Sequence, residues 1–403
     1  MTLRLTKKRI YLDYASLTPV DPRVIREVRT FSASEYANPS SLYKEGVNAK
    51  EALQDGRKRV ADFLHAHPDE IVFTSGGTEA NGLALEGAGR TAHRNGIQKP
   101  HLIISAIEHS SVIEVANMME KYGVEVTRLP VDASGTISLD ELRRSIKPST
   151  FLVSIMTVNN EIGTVLPIRE IAKIIRHARE HITKTQYPLF HTDAAQAALH
   201  SELEVAKLGV DLLTLDSSKV YGPRGMGALF VKRNTPIEPI MYGGGQEKGL
   251  RSGTENLPGI MGFAKALEIA GKEREGESVR IGKLRAEFIK QLKEVNAKIT
   301  INGKDHGGHG INNTDGDAHI SPHILNISIP HIDNELFVLR LDAKGIACST
   351  KSSCLRDQDE SYVLSAIGAD SKTSLRFSFG RWTKKGDISK TVKAISIILK
   401  SYV

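Results

Sequence analysis

A chain of 403 residues is longer than one hydrophobic core usually supports, so two domains are expected. Its 40% hydrophobic and 25% charged content is that of an ordinary globular protein, which excludes a disordered or collagen-like chain. The net charge of +7 comes from 54 basic residues scattered without a long basic block, and no nucleic-acid-binding motif accompanies them, so direct binding of RNA or DNA is not expected.

In chain order, Met1–Arg9 lacks an apolar signal core. No later segment approaches the roughly 18 apolar residues of a membrane span. A cytoplasmic location without membrane attachment is expected. Glu70–Thr74, His101–Ser105, Val124–Leu129 and Phe151–Met156 read as strands. Between and after them, Glu79–Arg94, Val112–Tyr122, Leu139–Ile146 and Ile168–Arg179 carry helical spacing. Pro188–Thr192, Val210–Leu215 and Gly225–Val231 read as further strands. This β–α alternation predicts an α/β fold with a mainly parallel sheet covered by helices. The amphipathic run Ile260–Val295 links to a smaller α+β domain. That domain holds a strand at Ile324–Ile329 and helices at Asn334–Ala343 and Ile388–Ser401. The expected division is 16–260 for the large domain, and 1–15 with 261–403 for the small one. Residues 303–319, rich in Gly, Asn, Asp and His, read as a long surface loop. Their histidines match no standard metal spacing, and no metal site is expected. The two cysteines, Cys348 and Cys354, lie six apart and do not resemble a disulfide framework.

Several predicted strand ends carry polar residues. The first strand leads into Ser75-Gly76-Gly77-Thr78-Glu79 at a helix start, where backbone N–H groups and glycines suit an anion such as phosphate. A plain N-capped turn is the alternative for that motif alone. Glu108-His109 follows the second strand, and an imidazole there suits stacking on an aromatic cofactor and proton exchange near neutral pH. Asn160 follows the strand 151–156, where open α/β sheets place ligands. Asp193 ends the strand 188–192. Lys219 follows Leu215 in Asp216-Ser-Ser-Lys219-Val-Tyr-Gly-Pro-Arg-Gly225. Pyridoxal phosphate (PLP) chemistry needs such a pair: a lysine for the Schiff base, and an acid that keeps the pyridinium nitrogen protonated. Read singly, the lysine is a solvated surface residue and the acid a helix cap.

Taken in order, these motifs resemble the cysteine desulfurases, NifS-like enzymes of the class V aminotransferase group within the fold-type I PLP proteins. The resemblance runs from Ile10-Tyr-Leu-Asp-Tyr-Ala-Ser-Leu-Thr-Pro19 to Arg376-Phe-Ser-Phe-Gly-Arg381. It takes in Asn38-Pro-Ser-Ser41, Phe73–Glu79, Val158-Asn-Asn-Glu-Ile-Gly163 and the long loop Gly243–Asn256. It implies a homodimer that converts L-cysteine to L-alanine with PLP as cofactor. Lys219 is then the Schiff-base lysine, Asp193 the pyridinium partner and His109 the stacking, proton-exchanging ring. Asn160 and Gln196 hold the ring oxygen, and Gly77 and Thr78 bind the phosphate. Ser218 stands where the family has histidine beside the lysine, and its hydroxyl still suits a phosphate. Thr254 matches the residue that completes the phosphate site of the second subunit. Arg376 matches the arginine that holds the substrate carboxylate, a task suited to its bidentate fork, with Asn38 close by.

The nucleophile of the family falls on Cys354 in Leu341-Asp-Ala-Lys-Gly-Ile-Ala-Cys-Ser-Thr-Lys-Ser-Ser-Cys354, and Cys348 falls on an apolar position. The expectation is a persulfide on Cys354 and a small buried hydrophobe at Cys348. Asp216 stands at a phosphate-binding serine of the family, and its charge is expected to weaken phosphate anchoring. Tyr43 replaces a histidine and Lys351 a glycine. Little sequence follows the last helix, which puts docking of an iron–sulfur scaffold protein in doubt. The sulfur acceptor stays open between such a scaffold and a tRNA-thiolation carrier. Selenocysteine lyase, aminotransferase, and a degenerate homologue acting in binding or assembly are the alternatives.

Overall fold

The computed structural model describes residues 9–34, 36–303, 320–350 and 360–400. The stretch 304–319, Lys351 and Cys354 lie outside the described residues. The chain runs β1 (Ile10–Tyr11), α1 (Pro22–Ser34), α2 (Lys44–Leu64), β2 (Ile71–Thr74), α3 (Gly77–Arg94), β3 (His101–Ser105), α4 (Ser110–Lys121) and β4 (Glu125–Leu129). It continues with α5 (Leu139–Ser145), β5 (Thr150–Ser154), α6 (Ile168–Ala178), β6 (Leu189–Asp193), α7 (Val205–Leu208), β7 (Leu212–Asp216) and β8 (Gly227–Val231). The remaining elements are α8 (Leu257–Val295), β9 (Thr300–Asn302), β10 (Ile324–Ser328), α9 (Asn334–Ala343), β11 (Ile346–Ala347), α10 (Tyr362–Ala366), β12 (Ser374–Ser378) and α11 (Lys385–Leu399).

The large sheet has the order β2-β8-β7-β6-β5-β3-β4. Only β8 runs against its neighbours; the other pairings are parallel, so the fold is α/β with a mainly parallel sheet. Strands β2, β3, β5 and β6 are buried along their whole length. Burial on both faces explains why they read as continuous apolar runs instead of alternating ones. Leu102 and Ile104 pack against α3 and α4 on one face, and Ile103 joins the core under α2, α6 and α8 on the other.

A second core forms around the antiparallel sheet β12-β10-β9. Helix α8 serves both cores: Leu257 to Ile269 belong to the first, and Ile281 to Leu292 to the second. Its start is set by Asn256, whose side chain accepts the Gly259 N–H at 3.2 Å, with Pro258 in the first turn.

Helices α1 and α2 lie in a stretch that the sequence reading leaves without elements. The buried face of α2 is Gly46, Ala49, Leu53, Gly56, Arg57, Val60, Ala61 and Leu64, so half of it is glycine or alanine. Its apolar signal is therefore weak, and the reason for it lies in packing. A Cβ on Gly56 would stand 2.8 Å from Ile260 of α8, so glycine lets the two helices approach. No helix among the described residues is long and apolar enough to cross a membrane.

Candidate active site

The carboxyl ends of five strands converge on one cleft, the expected ligand position of an open α/β sheet. β2 delivers Gly77 and Thr78, β3 leads to His109, β5 to Asn160, β6 to Asp193 and Gln196, and β7 to Asp216 and Lys219; all of these line the cleft. Arg376 closes it from β12.

Lys219 ends a single 3₁₀ turn, Ser217–Lys219, after β7 and is half-buried. Its Nζ donates to the carbonyl oxygens of Ser16 at 2.5 Å and Ala15 at 3.2 Å. Asp193 is buried, with Oδ1 accepting the Ala195 N–H and Oδ2 accepting Asn81 Nδ2, at 2.9 and 2.8 Å. Gln196 donates to the Ala15 oxygen at 2.9 Å, and its Oε1 lies 3.2 Å from His323 Nε2. Arg376 is only 1% exposed. It donates to the Asn160 carbonyl at 2.9 Å, to Asp13 at 3.0 Å and to Ser16 Oγ at 2.8 Å, while its buried Nε has no partner among the described residues. A buried guanidinium with donor capacity left over, walling an open cleft, is fitted to an anionic guest such as a carboxylate.

Three sequence-predicted residues lie outside the cleft lining. Ser218 turns its carbonyl to Thr18, whose N–H and hydroxyl donate at 3.0 and 2.8 Å, and its own N–H to Asp216. Asn38 is exposed and caps a turn through the Ser40 N–H at 2.9 Å. Thr254 sits exposed on the loop before α8. Two residues that the sequence reading does not single out, Asn81 and Ser111, do line the cleft. Their signal was positional: Asn81 lies four residues beyond Gly77, on the same face of α3, and Ser111 two beyond His109.

The donor set fits PLP. A carboxylate suits the ring nitrogen, an amine suits the aldehyde carbon, an imidazole suits the ring face, and the N–H groups of Gly77 and Thr78 at the start of α3 suit the phosphate. Asp216 departs from this set. Its Oδ2 accepts the Gly77 N–H at 3.1 Å and its Oδ1 the Ser218 N–H at 2.7 Å, so a carboxylate already occupies part of the anion seat. Like charges at such range repel, and the repulsion is only partly screened. Asp216→Ser is therefore expected to tighten PLP binding about tenfold in titrations of apoprotein. Unchanged or weaker binding would show that the carboxylate serves the cofactor.

Glu108 is buried beside His109. Its Oε1 accepts Ser105 Oγ at 2.5 Å and the Met156 N–H at 2.9 Å, and its Oε2 has no partner among the described residues. Burial, with Asp193 adding to it, pushes the carboxyl up to about 8. Burial has the opposite effect on imidazoles: His191 and His200 are pushed down to about 3 and His101 to about 4. The histidines bind fewer protons folded than unfolded, so their contribution is present above pH ~6.5 and is lost as pH falls toward 3. Glu108 binds more protons folded, so its contribution is present below pH ~4.5 and is lost as pH rises through 8. His323 is pushed down by burial as well, so four histidines outweigh one glutamate in the acid window, and the melting temperature is expected to peak near pH 6.5. Glu108→Gln should raise the melting temperature at pH 8.5 by several degrees and leave it within about 2 °C at pH 5. An equal change at both values would rule out a titrating carboxyl.

The lysine–carboxylate pair at two adjacent strand ends, with an anion seat at a helix start, defines a PLP-dependent enzyme. The Aminotransferase class-V family model matches residues 10–391. The cysteine desulfurase IscS of Dictyoglomus turgidum is 37% identical over 399 residues, covering 98% of this chain and 95% of that protein. The cysteine desulfurase IscS of Methanosarcina thermophila is 38% identical over 397 residues, covering 98% and 92%. A solved NifS-like protein superposes with a TM-score of 0.87 at 32% identity, covering 98% of this chain and 100% of its own. The chain belongs to the class V aminotransferase family and, within it, to the cysteine desulfurases.

Proposed function

We propose that this protein takes sulfur from L-cysteine, releases L-alanine, and holds the sulfur as a persulfide on Cys354 for an acceptor protein. The observation that carries this reading is the convergence of Lys219, Asp193, His109 and Arg376 on one cleft. Bound PLP would supply an electron sink that makes the substrate Cα acidic. Asp193 would hold its ring nitrogen, Gly77 and Thr78 its phosphate, and Asn160 and Gln196 its ring oxygen. Lys219 Nζ would anchor it and then move the Cα proton. Arg376 would orient the substrate through its carboxylate. The Cys354 thiolate would attack the substrate sulfur, forming an S–S bond as the C–S bond breaks, and His109 would carry a proton in that step.

In this reading the working unit is a homodimer, with Thr254 of each copy completing the phosphate site of the other. Its exposure on the loop before α8 suits that role. Tyr36, Leu42 and Tyr242, exposed by 79, 97 and 70%, supply apolar surface for the contact. A cytoplasmic location, and an acceptor that is an iron–sulfur scaffold or a tRNA-thiolation carrier, belong to the same reading.

The test is incubation with L-cysteine and a reductant, without any 2-oxo acid. Alanine and sulfide should appear in equal amounts. Omitting the reductant should leave one added sulfur on Cys354 by peptide mass. Dependence on a 2-oxo acid would point to transamination, and turnover confined to selenocysteine would point to a lyase.

A further inference from the structure

His109 caps α4 with its own ring: Nδ1 accepts the Ser111 backbone N–H at 3.2 Å. A backbone N–H only donates, so this nitrogen carries no proton. The Ser111 hydroxyl lies 2.8 Å from the same nitrogen. Its direction is set by a third group. Asn81 Nδ2 donates to Ser111 Oγ at 2.8 Å and to Asp193 Oδ2 at 2.8 Å. A carboxylate oxygen only accepts, so the nitrogen end of the amide must face Asp193, and this fixes the Asn81 orientation. With Asn81 donating to its oxygen, the Ser111 hydroxyl turns its hydrogen to Nδ1. Asn81 is 1% exposed and Ser111 8%, so water competes little for these bonds. The positive end of α4 adds to the effect by disfavouring a cationic ring at the cap.

We propose that Asn81 and Ser111 are positioning residues that hold neutral His109 as its Nε2–H tautomer and resist its protonation, so that the ring enters turnover as a neutral N–H donor. The proposal rests on the reading of His109 as the proton-carrying ring of the site. Protonation would set a new N–H against two donors. It would then force the Ser111 hydroxyl to reverse against Asn81. Among the described residues, the charged groups sharing the cleft with His109 are Asp193, Asp216, Lys219 and Arg376, with Glu108 buried beside it in the chain. The test variants leave all five in place.

The test uses holoprotein with ¹⁵N-labelled histidine, read by ring-nitrogen chemical shifts across pH. In the parent, His109 should show a protonated Nε2 and an acceptor Nδ1 at neutral pH. Ser111→Ala should raise the protonation midpoint of His109 by about one pH unit, roughly tenfold in proton affinity, and mix the two tautomers. Ser111→Thr keeps the hydroxyl and should titrate like the parent. In turnover of L-cysteine, the acid limb of kcat in Ser111→Ala should move up by the same interval while KM stays within twofold. A midpoint that stays or falls in Ser111→Ala overturns the proposal, as does a Ser111→Thr protein that titrates like the alanine variant. A shifted midpoint with an unmoved kcat profile keeps the tautomer device but overturns its part in turnover, and with it the role assigned to His109.

Discussion

Lys219→Ala should purify as a folded protein that lacks covalently held PLP and turns over L-cysteine at least about 10³-fold more slowly. In the proposed reading the lysine serves the cofactor, so its loss should cost activity far more than stability. Its Nζ donates to the backbone oxygens of Ala15 and Ser16, and Gln196 still donates to Ala15 when the amine is gone. The lost hydrogen bond to Ser16 costs about 1 kcal/mol, which lowers the melting temperature by about 3 °C in a chain of this size. The near-visible absorption band of lysine-bound cofactor should disappear. Borohydride reduction of the parent, followed by peptide mapping, should place the pyridoxyl group on Lys219. A label on any other lysine would remove Lys219 from the site.

Cys354→Ala should lower sulfide release by about 10³-fold or more while PLP stays bound. Cys348→Ala should keep most turnover and lose about 1 kcal/mol of stability. Cys354 lies outside the described residues, so the structural half of this argument comes from Cys348. That residue packs partly buried against the second core, and burial pushes its thiol well above the ordinary range. Its backbone is also tied on both sides. The Leu12 N–H donates to the Ala347 carbonyl at 2.9 Å, and Ser349 exchanges hydrogen bonds with Arg376 at 3.1 and 2.6 Å. A thiol held protonated on pinned backbone is poorly placed to attack one sulfur and then present the product to another protein. One added sulfur found on Cys348, in a Cys354→Ala protein that still turns over, would move the nucleophile to the first cysteine.

The parts of the site legible in the sequence share one property: each is a strand end followed by a polar turn. Asp193, Lys219, His109 and the Gly77-Thr78 turn could be read because an apolar run of five or so residues fixes where its carboxyl end falls, and open sheets bind ligands at that edge. The strands themselves were legible because burial on both faces left continuous apolar sequence. Helix α2 was not, because a face rich in glycine and alanine has meaning only against the helix that it meets.

What the tertiary structure alone decided is which groups meet. Asp216 ends β7, yet it reaches the Gly77 N–H after β2, 139 residues earlier, because the sheet order sets those strand ends near one another. Arg376 meets Asp13 across 363 residues, and Asn81 joins Asp193 across 112. No local period or spacing encodes such pairs. A side chain's hydrogen-bond partners follow from strand order and helix packing, so the sequence by itself named many of the chemical groups of this cleft, and the fold added Asn81 and Ser111 and determined which groups restrain one another.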